Sequence, residues 1–243
     1  VYNFPGGKTL NLGGILTLGL VSQQNNTTLK NSGTITDKTE KDHQYIQNID
    51  QKYDVDLTFN ADGTVASETP KPAGTGHYLK IYGPASSIYY VKRSNDGYVG
   101  YKVGIAQVYE NGGGTDQILE NAGKIDFRGE RSIGIYTYIP NDQSYVIMKN
   151  DSGATISMSG KESYGMKFAA KMGSNRASMI NEGTIELRKN PDGSDKADNS
   201  AAMALMEDTS VTNKVSMDRG KAINESLGTI RLENVQNSLG MFV

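Results

Sequence analysis

The chain has 243 residues, 36% of them hydrophobic, with 28 glycines, no cysteine, no tryptophan and a formal net charge of −2. Absence of cysteine excludes disulfides and thiol chemistry, and the near-neutral charge gives no electrostatic case for a nucleic-acid partner. No run approaches the roughly 18 apolar residues of a membrane helix, and the length suits one large domain or two small ones.

The first apolar stretch, Gly13-Gly14-Ile15-Leu16-Thr17-Leu18-Gly19-Leu20-Val21, lacks a basic front and begins too late for a signal peptide, so it reads as a buried strand. Next comes a phrase that the chain repeats, Leu29-Lys30-Asn31-Ser32-Gly33-Thr34-Ile35. A weaker copy spans Phe59-Asn60-Ala61-Asp62-Gly63-Thr64-Val65. Fuller copies occupy Leu119 to Phe127, Met148 to Met158, Ile180 to Leu187 and Ile223 to Leu232. Gly33, Gly63, Gly123, Gly153 and Gly183 are separated by 30, 60, 30 and 30 residues. A fixed period of this size marks a solenoid.

Within each copy the apolar residues alternate with polar ones. Leu119, Ile125 and Phe127 face one way and Glu120, Lys124 and Asp126 the other, the pattern of a half-buried strand. The candidate turn residues are Asn31, Asn60, Asn121, Asn150, Asn181 and Asn224, with Gly33, Gly63, Gly123, Gly153, Gly183 and Gly228. Asn tolerates left-handed backbone, and at one corner of successive units its amides can bond their neighbours above and below as a ladder. The alternative is that Asn-x-Gly marks ordinary hairpin turns.

A second phrase follows the first: Ser132-Ile133-Gly134-Ile135, Ser163-Tyr164-Gly165-Met166 and Ser238-Leu239-Gly240-Met241, with a fainter Val103-Gly104-Ile105 and a variant Ser200-Ala201-Ala202-Met203. Residues 167–172 and 200–206 contain good helix formers, but their alignment with the second phrase assigns them to strands. The expected fold is all-β: a solenoid of stacked short strands with roughly 30-residue repeats and inserted loops, one domain over 1–243. Its regular repeats fill 118–243, and 36–117 is an irregular, insertion-bearing part. One layer per repeat gives about eight layers and a rod of about 35–40 Å. Val1 opens without Met, and the last residues stop inside a second phrase with no polar cap, so a piece of a longer chain is expected.

The insertion holds nine of the fourteen tyrosines. Long insertions in a solenoid gather on one face, often the binding face, and Tyr presents a rigid ring with a polar tip. Tyr82, Tyr89 and Tyr90 are the candidate contacts, against the plainer reading that Tyr favours strands. Asp54 and Asp56 share a strand face, as a glycoside-cleaving pair would, without further support. Asp192, Asp195 and Asp198 sit in a loop that could hold Ca²⁺ weakly but lacks the full loop pattern. His43 and His77 have no ligand spacing, and Arg128-Gly129-Glu130 is a turn. Asn111-Gly112-Gly113-Gly114-Thr115 lacks the Lys-Ser/Thr of a phosphate loop.

Asn-x-Gly-x-Ile-x-Leu followed by Ser-x-Gly-Met resembles the passenger repeats of large type V autotransporter adhesins, particularly the fusobacterial ones. The resemblance covers about residues 118–243 well, 29–65 and 98–109 loosely, and the remainder poorly. It implies a right-handed parallel β-helix (β-solenoid), a passenger displayed outside an outer membrane and attached only through a C-terminal barrel that is not in this sequence, with no catalytic residues to carry over. The expectation is therefore an adhesin segment that binds a glycan or protein receptor on another cell, without cofactor, metal or catalysis. The competing readings are a ligand-free stalk and, more distantly, a polysaccharide-degrading β-helix enzyme.

Overall fold

The computed structural model describes residues 1–12, 18–22, 26–37, 52–61, 64–72, 75–82, 88–92, 102–108, 117–139, 145–170, 176–191, 193, 196–207 and 220–242. These form strands and turns only, arranged as a right-handed parallel β-helix of six rungs with three strands each. The first rung is β1 (Tyr2–Phe4), β2 (Thr9–Asn11) and β3 (Leu18–Ser22). The second holds β4 (Thr28–Asn31) and β5 (Thr34–Thr36), then a separate antiparallel sheet of β6 (Lys52–Phe59), β7 (Val65–Lys71), β8 (Tyr78–Tyr82) and β9 (Ile88–Lys92), before closing with β10 (Lys102–Val108). The third is β11 (Gln117–Asn121), β12 (Lys124–Phe127) and β13 (Ser132–Ile139), and the fourth β14 (Tyr145–Asn150), β15 (Thr155–Met158) and β16 (Tyr164–Ala170). β17 (Arg176–Asn181), β18 (Thr184–Leu187) and β19 (Ala201–Glu207) make the fifth, and β20 (Lys221–Asn224), β21 (Thr229–Leu232) and β22 (Leu239–Phe242) the sixth.

Corresponding strands stack as three parallel sheets of six strands. The inward positions form columns. Leu10, Ile35, Ile125, Ile156, Ile185 and Ile230 align through one sheet. Leu29, Leu119, Met148 and Met179 align through another, and Ile105, Ile135, Met166 and Met203 through the third. From the second rung to the fifth these side chains are buried in one continuous core. Among the described residues the rod has six rungs instead of about eight, because β6 to β9 form a separate sheet and add no layer to it. Its stacked length is about 24 Å.

Asparagine fixes the register. Asn31, Asn121, Asn150 and Asn181 are fully buried, and each Nδ2 donates to the next Oδ1 at 2.8, 2.8, 2.8 and 2.7 Å, ending on Asn224. The second proton of each amide reaches the carbonyl of Lys124, Thr155, Thr184 or Thr229 at 3.2–3.3 Å. The spacings of 90, 29, 31 and 43 residues show that the ladder is kept while chain length between rungs varies. Glycine follows because the chain turns tightly here: a Cβ on Gly123 would lie 2.2 Å from the Gly33 carbonyl oxygen. Gly153 differs, with a φ of 80° in a longer turn.

Asn60 does not belong to this stack. Its N–H donates to the Thr64 carbonyl at 2.9 Å and its amide to Thr64 Oγ1 at 3.0 Å, closing the hairpin between β6 and β7. The hairpin alternative holds for this copy alone, since Asn suits any tight turn; Gly63 lies outside the described residues. Of the apolar stretch at 13–21, residues 13–17 lie outside the described residues. Leu18–Ser22 is a strand, as expected, but Leu18 and Val21 are exposed on it and are not buried; β3 is the edge strand of its sheet.

The second phrase is a serine column. The N–H groups of Ser132, Ser163 and Ser200 donate to the hydroxyls of Ser163, Ser200 and Ser238 at 3.1, 2.9 and 3.3 Å. The residue before each of these four serines, Arg131, Glu162, Asn199 or Asn237, has a φ between 51° and 55° and turns the chain into the third sheet. Residues 167–170 and 201–206 are strands, as the repeat register requires.

Asn150→Ala removes the acceptor of one Asn121 amide proton and the donor to both Asn181 Oδ1 and the Thr184 carbonyl inside the rod. It is expected to cost about 2–4 kcal/mol, whereas Asn224→Ala at the exposed end costs about 1 kcal/mol or less. Equilibrium denaturation of the two variants checks the difference.

Candidate functional site

The inserted sheet has the order β7-β6-β8-β9, antiparallel throughout. β7 is exposed along its whole length and forms one edge. Glu68, Pro70 and Lys71 on it discourage pairing with another chain. β9 forms the other edge and, among the described residues, pairs only with β8. Tyr82 ends β8, opposite Ile88; Tyr89 and Tyr90 lie on β9, opposite Ile81 and Lys80. The three candidate tyrosines thus share one hairpin, with the edge strand carrying two of them. Tyr45, Tyr98, Tyr101 and Tyr109 lie outside the described residues, as does His43.

A buried ion pair lies where the chain leaves the rod and rejoins it. Asp37 follows β5, and Lys102 opens β10; their side chains are 1% and 0% exposed. Lys102 Nζ donates to Asp37 Oδ2 at 3.1 Å. The same carboxylate accepts the N–H groups of Arg128 at 2.8 Å and Gly129 at 2.7 Å, from the turn of the next rung. One side chain therefore joins the exit of the insertion, its return and the layer beneath. Breaking such a buried pair costs about 3–5 kcal/mol, because the remaining charge is stranded. The Arg128-Gly129-Glu130 turn acquires a structural task that its sequence does not announce.

Asp54 and Asp56 are both engaged in the inserted sheet. Asp54 is buried and accepts the Thr75 N–H at 3.2 Å. Asp56 accepts the His77 N–H at 2.9 Å, lies 2.6 Å from His77 Nδ1 and pairs with Lys71 at 3.0 Å. The His77 backbone N–H, then Lys71 and the His77 ring, hold the Asp56 carboxyl well below the usual carboxylate range. In the loop at 192–198, Asp198 accepts the Gln236 N–H at 2.6 Å and pairs with Lys196 at 3.1 Å. Asp192 and Asp195 lie outside the described residues. Among the described residues no cluster of three His, Cys, Asp or Glu side chains is placed to hold a metal.

Two features escaped the sequence pattern. On the outward side of the first sheet, burial and the neighbouring Asp151 raise the Glu120 carboxyl above its ordinary value. Lys30 pairs with Glu120, and Lys149 pairs with Asp151 at 3.0 Å. On the third sheet, Val103, Ala106, Ile133 and Tyr136 form a second buried cluster apart from the rod's core. Lys167 is aligned between Tyr136 and Ala204 and is only 6% exposed. Its ammonium lies 4.6 Å from the Tyr164 ring centre, and burial pulls it down to about 8. The signal available in sequence was the lack of alternation at Ile133-Gly134-Ile135-Tyr136 and Ala201-Ala202-Met203-Ala204-Leu205, which marks strands covered on both faces.

The BigA third pectate lyase-like domain matches residues 3–243, nearly the whole chain. The chain belongs to this family. The BigA-type match agrees with the stacked parallel sheets, and the pectate lyase-like part of the description refers to the fold. No curated protein and no solved structure matches the chain.

Lys167 makes stability depend on pH. Its folded value of about 8 lies below the ordinary 10.5, so between these values the unfolded chain binds more protons and stability rises with pH. The rise is on the order of 3 kcal/mol at most. Denaturation from pH 7.5 to 10.5 is expected to show it in the wild type and to show a flatter profile in Lys167→Met.

Proposed function

We propose that this chain is a β-helical segment of a bacterial surface adhesin, acting by display and binding and not by catalysis. Its BigA-type family suggests a surface protein of adhesin type. The repeat phrases resemble autotransporter passengers, which would place the segment outside an outer membrane and leave attachment to a barrel elsewhere. The observation that carries the reading is the four-stranded sheet set between β5 and β10 and anchored by Asp37 and Lys102. A rod from which a second sheet leaves and returns at one tied point suits presentation of a contact surface. Tyr82, Tyr89 and Tyr90 are the proposed contacts with a glycan or protein receptor on another cell. The bonds already made by Asp54 and Asp56 favour binding over glycan cleavage.

A stalk is the second reading. Cross-rung ion pairs, Lys149–Glu182 at 3.1 Å, Arg188–Asp126 at 3.1 Å and Arg231–Glu186 at 3.1 Å, cover the outward faces and suit a solvated spacer. Binding of the purified chain to glycan, bacterial-cell and host-cell panels separates the two. The adhesin reading predicts saturable binding, lost in Tyr82/Tyr89/Tyr90→Ala with an unchanged circular dichroism spectrum. Absence of binding by the wild type would favour the stalk.

A further inference from the structure

The interior of the rod is not apolar throughout. Ser22, Gln107 and Thr137 occupy one aligned position of the third sheet in the first three rungs. In the fourth and fifth rungs the same position is Phe168 and Leu205, both in the rod's core. A second change of this kind lies across the corner, where the first sheet begins. Gln117 opens β11 in the third rung, and the aligned residue of the fourth is Val146, again a core residue. Thr27, just before β4, is the second-rung neighbour of Gln117, and its carbonyl accepts the Ile118 N–H at 3.0 Å. The side chains of Ser22, Thr27, Gln107, Gln117 and Thr137 are all buried.

Gln117 Oε1 accepts the Thr27 hydroxyl at 2.7 Å and the Thr27 N–H at 3.2 Å. The Thr27 hydroxyl in turn lies 3.1 Å from Ser22 Oγ, which must donate to it. These bonds fix the orientation of the amide: turned over, Gln117 Nε2 would meet the Thr27 N–H, donor against donor. They also bring the amide to the column of Gln107 and Thr137, since Ser22 is the rung neighbour of Gln107. Gln117 Nε2 is fully buried, and among the described residues it has no hydrogen-bond partner. A primary amide carries two protons at that nitrogen. In the asparagine ladder both such protons have acceptors, Asn150 Oδ1 and the Thr155 carbonyl in the case of Asn121.

We infer that the corner between the third and first sheets binds an ordered water inside the rod, held by Gln117 Nε2 and shared with the Gln107 and Thr137 column. Interior waters settle where buried polar groups offer about three bonds, and a buried donor with no acceptor is where one belongs. The amide protons exclude a cation, and the uncharged side chains give an ion no counter-charge. A water accepts from Nε2 and donates onward. It joins β10, the strand that returns from the insertion, to β11, at a corner away from Asp37 and Lys102. The site stands whether or not the inserted sheet binds a receptor.

The test is cross-relaxation between water and side-chain amides of the isotopically labelled chain, read in paired laboratory-frame and rotating-frame Overhauser spectra. The Gln117 Nε2 protons are expected to show cross-peaks to water of opposite sign in the two spectra, the pattern of a held water and not of proton exchange. Asn150 is the internal control, because its amide protons are bonded to Asn181 Oδ1 and the Thr184 carbonyl and should show none. Gln117→Val places there the residue type of the next rung, Val146. It should lower the number of long-lived waters, counted by relaxation dispersion of the water oxygen, by about one, with unchanged circular dichroism. Absence of the Gln117 cross-peak, an equal cross-peak at Asn150, or an unchanged water count in folded Gln117→Val would each overturn the proposal. Should that variant fail to fold, the Overhauser spectra of the wild type decide alone.

Discussion

A primary amide buried in a stack of parallel strands has to find partners for two protons and an oxygen. In this chain each buried asparagine finds them in the asparagine of the next rung and in a carbonyl of the adjoining strand. Hydrophobic columns alone fix register weakly, because Ile, Leu and Met substitute for one another along a column. The amide ladder does not tolerate slippage, since a one-residue shift would leave several buried polar groups unpaired. The serine column acts similarly at the next corner, with weaker and longer bonds.

Once the corners are fixed, the chain between them is free to vary. The spacing between ladder asparagines runs from 29 to 90 residues with no change in the bonds. Loop-closure entropy grows only slowly with length, so an additional sheet is tolerated where its two ends leave and re-enter one rung. What such an insertion needs is a firm base. Asp37 and Lys102 supply it, using a carboxylate that is also bonded to the rung below. The thirteen-residue link of the fifth rung, 188–200, is a smaller version of the same arrangement, held by Ala197 in the core.

Much of the rod was legible because its repeats state one physical problem several times. The alternation around Ile125, Ile156 and Ile185 gave the strands, and Asn121, Asn150 and Asn181 gave the corner. The same reading misassigned Asn60, since a hairpin and a β-helix corner ask similar things of an asparagine. The number of rungs was overestimated because length was divided by period without removing the insertion. The Asp37–Lys102 pair left no pattern, being 65 residues apart and unrepeated.

Hydrogen exchange of asparagine side-chain amides, followed by nuclear magnetic resonance, tests the ladder most directly. If the ladder organises the rod, the Nδ2 protons of Asn121, Asn150 and Asn181 exchange only through opening of the rod and are strongly protected, while those of Asn60 exchange rapidly. Exchange of the Asn150 amide as fast as that of Asn60 would contradict the account, because the corner bonds would then not be holding the rungs in register.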